Sequence, residues 1–197
     1  MANGRVEKLS DLKGKTIRVG GNVTGRMMTE LGASPVQLPP TEAQTAMSRG
    51  VADGITFPSE SIDFFGITPV IKSITRIPGG LYTDTFWVAF NQDSWDGLSD
   101  EQRAAVEKHS GMAIALLSGF VWANGDTYGE KKLVEQGVEF LTLSDEDVAE
   151  ARETLKPLEA EWLAQAKEKG FDGEAILTYA RDMVENYRAD KVVNVAQ

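Results

Sequence analysis

Between residues 16 and 58 short β-branched runs alternate with helix-like stretches, and this alternation limits the fold more than any other feature of the sequence. Thr16-Ile17-Arg18-Val19 reads as a strand, GGNVTG follows it, and Gly32 ends the helix that comes next. Val36-Gln37-Leu38 is extended and closed by Pro39 and Pro40, and Thr41 stands at the N-cap of a helix that stops at Gly50. VADGITFP at 51–58 supplies strand and turn, after which Ser59 caps a short helix through Phe65. Strands separated by helices cannot pair as hairpins, so the order β-α-β-α-β predicts an α/β fold with a mainly parallel sheet.

The rest of the chain extends the pattern. Leu81 to Asn91, LYTDTFWVAFN, is the longest β-like stretch and predicts a long strand shared by two lobes. Ser99 opens a capping box with Gln102, and helical character persists to Gln136, with Gly137 as the stop. Unbroken, that helix would run roughly 55 Å at 1.5 Å per residue, so a bend or break is expected at Gly111, Gly119, Gly125 or Gly129. Val138 to Leu141 reads as a short strand. Ser144 caps an acidic helix that Pro157 is expected to kink and Gly170 to end, and a last helix occupies 173–188.

Composition removes several function classes. Thirty acidic residues against twenty basic leave a net charge of −10, which repels phosphate backbones and anionic membranes, so no nucleic-acid partner is expected. The absence of cysteine excludes disulfides, zinc-thiolate sites and cysteine nucleophiles. The longest apolar run, residues 111–123, is shorter than the roughly 20 residues that cross a bilayer. The opening MANGRVEKLSDLKG has no apolar core of a signal peptide; either the protein stays in the cytoplasm or its native beginning is not in this chain.

The chemistry-bearing residues are few. GGNVTGR at 20–26 has the G-x4-G spacing of a phosphate loop, but Arg26-Met27 stands where that loop needs Lys followed by Ser or Thr, and there is no G-x-G-x-x-G. The loop can still offer backbone N–H groups to an anion, and a small α/β enzyme acting on an anionic substrate there is the alternative reading. The one histidine, His109, lies among charged neighbours and reads as a solvent-facing helix residue; no metal site or cofactor is expected. Arg18 is different. A cation between Ile17 and Val19 in a buried strand needs a partner, either an internal Asp or Glu or a carboxylate carried by a ligand. Phe57 ends a strand immediately before Pro58, at the carboxyl edge where open α/β sheets place ligands, so Arg18 and Phe57 are expected to face one cleft.

Four stretches carry a resemblance: LKGKTIRV at 12–19, LGASPVQLPPTEAQTAMSRGVADG at 31–54, GGLYTDTFWVAFNQDSWDGLSDEQRAAVEKHSG at 79–111 and KKLVEQGVEFLTLSDEDV at 131–148. Together they resemble the periplasmic solute-binding subunits of TRAP transporters, of the dicarboxylate-binding (DctP) type. The resemblance implies a periplasmic-binding-protein-like fold of two lobes tied by long strands and a long helix. It implies reversible capture of a small organic carboxylate, delivery to a TRAP membrane permease, a periplasmic location and no catalysis. It also implies that Arg18, in KTIRV, forms a two-pronged salt bridge with the ligand carboxylate, which a planar guanidinium fork reads by geometry as well as charge.

Where sugar-acid binders of the family carry asparagine in D-G-x-x-N-P, this chain has Phe57, which argues for an acid with an apolar or aromatic body. Asn22, Glu60 and Tyr82 are further candidates for the pocket rim. On the family pattern, residues 1–83 form the ligand-anchoring second lobe, 84–126 cross to a first lobe that is incomplete here, and 127–197 return. Phe86, Val88, Phe90, Ile114, Leu117, Phe120, Val121 and Trp122 are then an exposed apolar surface, and an intertwined homodimer is expected to cover it. A truncated chain that binds nothing remains an alternative.

Overall fold

The computed structural model describes residues 1–2, 4–83 and 86–186. Its first half is a three-stranded parallel sheet in the order β2-β1-β3, built from β1 (Thr16–Val19), β2 (Ser34–Gln37) and β3 (Gly54–Ile55). Arg18 stands opposite Val36 on one side and Ile55 on the other. Helices α1 (Asn22–Glu30) and α2 (Ala43–Ser48) make the two crossovers. Helix α3 (Ser59–Phe64) follows the sheet. A second sheet pairs β4 (Ser73–Arg76) with β5 (Glu139–Thr142), again in parallel, so every strand pairing among the described residues has the expected sense.

Alternation along β1 explains its mixed composition. Successive side chains of a strand point to opposite faces. Ile17 and Val19 enter a core shared with Leu12, Met28, Leu31 and Leu143, while Arg18 points the other way. A second core gathers Ala43, Met47, Ile62, Ile67, Leu133 and Val138 and fixes α2, α3 and the end of the long helix together.

Several local expectations are met and several are corrected. The Ser99–Gln102 capping box starts α5 (Asp100–Lys108), and the Ser144 side chain accepts from Asp147 N–H at the start of α7 (Asp145–Glu168). The long helical region breaks once: Gly111, at φ 59° and ψ −129°, separates α5 from α6 (Met112–Glu135), which continues through the other three glycines. That backbone conformation lies outside the regions open to residues with a Cβ. His109 is exposed, as expected, and caps the end of α5. The last helix, α8 (Gly173–Asn186), reaches the end of the described residues, so 187–188 lie outside them.

Thr41 does not cap α2; it lies inside a 3-10 turn, Pro40–Glu42, that delivers the chain into the helix. Ser59 is the first helical residue of α3, with Pro58 at the N-cap and no side-chain cap bond. The strand expected over 81–91 is not formed by its described residues. After α4 (Gln92–Asp96) is reached backwards, residues 86–91 carry no regular structure, and Phe86, Trp87 and Val88 are 70%, 82% and 88% exposed. Strand propensity needs a neighbouring ladder to act on, and no described strand lies beside this one. Conversely β4, SITR between Pro69 and Pro78, gave no sequence signal and exists through its pairing with β5.

Candidate functional site

The carboxyl ends of the three parallel strands converge on one cleft. Arg18 is the next-to-last residue of β1, Leu38 follows β2, and Phe57 follows β3. Only 4% of Arg18 is exposed. Its Nε and Nη2 donate to the Leu38 carbonyl at 2.8 and 2.6 Å, and its Cζ sits 5.0 Å from the centroid of the Phe57 ring. Among the described residues no Asp or Glu forms an ion pair with it. Burial pushes the Arg18 pKa below the usual guanidinium value, and neighbouring Tyr82 acts in the opposite direction. A guanidinium does not give up its proton in a protein, so the cleft holds a permanent, desolvated positive charge that no carboxylate among the described residues neutralises.

The cleft has a volume of about 850 Å³ and a largely apolar wall. Phe57 meets Phe65 edge to face at 5.5 Å, Phe86 stacks on Trp122 at 5.0 Å, and Leu81 and Tyr82 come in from the loop after β4. Glu60 lies on the same wall. The structure therefore brings Arg18, Phe57, Glu60 and Tyr82 to one cavity. It leaves Asn22 outside: that residue is exposed at the start of α1 and does not line the cleft. Its neighbour Gly21 is engaged locally, since Gly21 N–H donates to Thr24 Oγ1 and the Thr24 hydroxyl donates back to Gly21 O.

Glu60 is held by the junction of α3 with α6. Gly129 makes that junction possible, because a Cβ there would lie 2.9 Å from both Glu60 Cα and Ser59 O. The Lys132 ammonium and Asp63 close the same junction at 2.8 Å. The Trp122 indole N–H donates to Glu60 Oε1 at 3.1 Å, and the Ser61 hydroxyl donates to it at 2.8 Å. Asp126 lies beside Glu60; burial first, and the Glu60 carboxylate second, push its pKa up to about 6.

Sequence reasoning missed Phe65 and Trp122 as parts of this wall, and Asp126 beside Glu60. Phe86 and Trp122 were expected only on an exposed apolar face. The i, i+4 spacing of Trp122 and Asp126, continued at Gly129, marks one face of a helix, but nothing local says that α3 covers it. Among the described residues no group of His, Asp and Glu is placed to hold a metal ion, and no helix is long and apolar enough to cross a membrane.

Parallel strands that deliver a buried arginine and an aromatic wall to one cleft are the marks of a ligand-binding lobe. The model of the bacterial extracellular solute-binding protein family 7 (DctP) matches residues 1–166, and the chain belongs to that family. It is 27% identical over 181 residues to the outer membrane transporter protein TsaT of Comamonas testosteroni, covering 90% of this chain and 53% of that protein. A TRAP periplasmic solute-binding protein from Bordetella bronchiseptica, solved with bound (R)- and (S)-mandelate, is 36% identical with a TM-score of 0.86, over 92% of this chain and 57% of that one. A marine metagenome TRAP solute-binding protein specific for aromatic acid ligands, in complex with 3-hydroxybenzoate, is 30% identical with a TM-score of 0.88, over 94% and 59%. The chain thus spans between half and three fifths of the length of these relatives.

Proposed function

We propose that the chain is the ligand-anchoring part of a periplasmic TRAP solute-binding subunit that captures a small aromatic monocarboxylate and passes it to a membrane permease. The observation that carries this reading is the buried Arg18 guanidinium, paired with no carboxylate among the described residues and set against the Phe57 ring at the carboxyl edge of the sheet. The carbonyl of Leu38 occupies Nε and Nη2, which among the described residues leaves Nη1 and the remaining Nη2 hydrogen to reach a ligand carboxylate. The aromatic wall makes burial of a ring favourable and burial of sugar hydroxyls costly. Relatives at 36% and 30% identity bind mandelate and 3-hydroxybenzoate, which supports the same ligand class.

Titration calorimetry against benzoate, 3-hydroxybenzoate, mandelate and glucuronate tests the reading. Heat of binding is expected for the aromatic acids and not for glucuronate, with each acid recovered unchanged. Binding of glucuronate alone, or conversion of a ligand, overturns it.

We extend the proposal to the apolar residues of segment 84–126. Phe90, Leu117, Phe120 and Val121 are 54–61% exposed, and in a preparation of these 197 residues alone a second copy covers them in an intertwined dimer. Light scattering that finds a stable monomer at micromolar concentration refutes the dimer.

A further inference from the structure

The Leu38 carbonyl decides how a carboxylate can meet Arg18. A guanidinium offers two forks of paired N–H groups, Nε with Nη2 along its side and Nη1 with Nη2 across its end. Leu38 O takes the side fork. Among the described residues, the end fork is the one left for a two-pronged bond. Gly20 stands at that end. It lines the cleft just beyond Arg18 in sequence, and a Cβ on it would lie 3.9 Å from Nη2 and 4.0 Å from Nη1, with no other Arg18 atom within 4 Å. Cζ is thus farther from that point than either Nη, which puts the absent side chain out toward the end of the fork and not over the middle of its plane. Gly20 is not one of the glycines with a positive φ, so no left-handed turn calls for glycine here. What the missing methyl keeps open is the space in front of the two donors.

We propose that Gly20 is a specificity-determining position of the cleft: its missing side chain leaves room at the end of the Arg18 fork for a substituent carried beside the ligand's carboxylate, so that aromatic acids branched at that point are accepted. This rests on the aromatic-acid reading above and adds to it how crowded the ligand's carboxylate can be. A carboxylate held across Nη1 and Nη2 presents outward the carbon that bears it, together with whatever that carbon carries. The apolar wall of Phe57, Phe65 and Leu81 is there to take the ring. A side chain at position 20 would compete with the substituent for the same space. It would leave untouched the charge of Arg18, its two bonds to Leu38 O and its contact with the Phe57 ring. Gly21 supplies a control one residue away: its φ of −161° and ψ of 175° are extended, a Cβ there meets nothing within 4 Å, and it does not line the cleft.

Calorimetry of wild type, Gly20→Ala and Gly21→Ala at neutral pH tests this with two pairs of acids: benzoate with 2-methylbenzoate, and phenylacetate with 2-phenylpropionate. The members of each pair differ by one methyl set beside the carboxylate. The quantity read is the ratio of dissociation constants within a pair, in which any difference in the folded fraction of the proteins cancels. In a pair whose parent acid binds, the added methyl is expected to cost wild type less than about fivefold and to cost Gly20→Ala about tenfold more than it costs wild type, the size of effect that one misplaced carbon has in a close-fitting site. Gly21→Ala should give the wild-type ratio. Three results overturn the role of Gly20 and leave the aromatic-acid reading standing: a wild type that already rejects the methylated acids, a Gly20→Ala that weakens both members of a pair equally or not at all, and a Gly21→Ala that shifts the ratio as much as Gly20→Ala does. Failure of every aromatic acid to bind wild type overturns both.

Discussion

Alanine at two glycines of α6 should move stability in opposite directions, and the difference measures how closely α3 is pressed on that helix. At Gly119 an added Cβ meets nothing within 4 Å, and the position is exposed. Gly119→Ala should therefore stabilise by about 0.5–1 kcal/mol, the ordinary gain of alanine over glycine inside a helix. At Gly129 the same methyl would lie 2.9 Å from Glu60 Cα and from Ser59 O. Those are backbone atoms, so no rotamer change relieves the contact and α3 must shift as a body. Overpacking of this kind costs about 1–3 kcal/mol. The propensity gain is common to both variants, so subtracting them isolates the contact: Gly129→Ala should be less stable than Gly119→Ala by about 2 kcal/mol. Urea denaturation followed by far-ultraviolet circular dichroism reads this as a separation of midpoints at a shared slope. Equal midpoints for the two variants would show that α3 does not sit against Gly129 as described.

The remaining predictions concern the cleft and its acid pair. Arg18→Lys keeps the charge and loses the planar fork, and should weaken aromatic-acid binding by roughly 1–3 kcal/mol with the fold intact; unchanged affinity by calorimetry would make Arg18 a structural residue. Phe57→Asn should cost acids with a ring about 1–3 kcal/mol and leave short aliphatic acids less affected; equal binding of both classes would remove Phe57 from the wall. Asp126 has its pKa raised from 3.8 to about 6 on folding, so the native state holds more protons than the unfolded state between those values. Stability should therefore fall as pH rises across that window and level off above it. Asp126→Asn should flatten the fall and raise the denaturation midpoint at neutral pH; an unaltered pH profile by thermal melting would show that Asp126 is not desolvated beside Glu60.

The sequence by itself determined those parts of the protein whose causes lie within a few residues. Thr16–Val19 is a strand because three of its four residues are β-branched and glycines follow it. The starts of α5 and α7 are set by Ser99 and Ser144, each bonding an N–H three residues away. Strand–helix alternation made the parallel sheet legible, and strand periodicity turned Arg18 away from Ile17 and Val19, toward the carboxyl edge where Phe57 arrives. Only the tertiary structure decided which extended segments become strands. SITR does so because β5 lies beside it, 66 residues later in register, whereas residues 86–91 have higher strand propensity and no described partner. The same holds for the cleft. That no carboxylate among the described residues pairs with Arg18 is a fact about how distant segments are placed in space. That Glu60 meets Trp122 and Asp126 follows from α3 lying on Gly129. Propensity and capping act through bonds to near neighbours, whereas pairing, burial and the sharing of a proton depend on which distant segments the folded chain holds in contact.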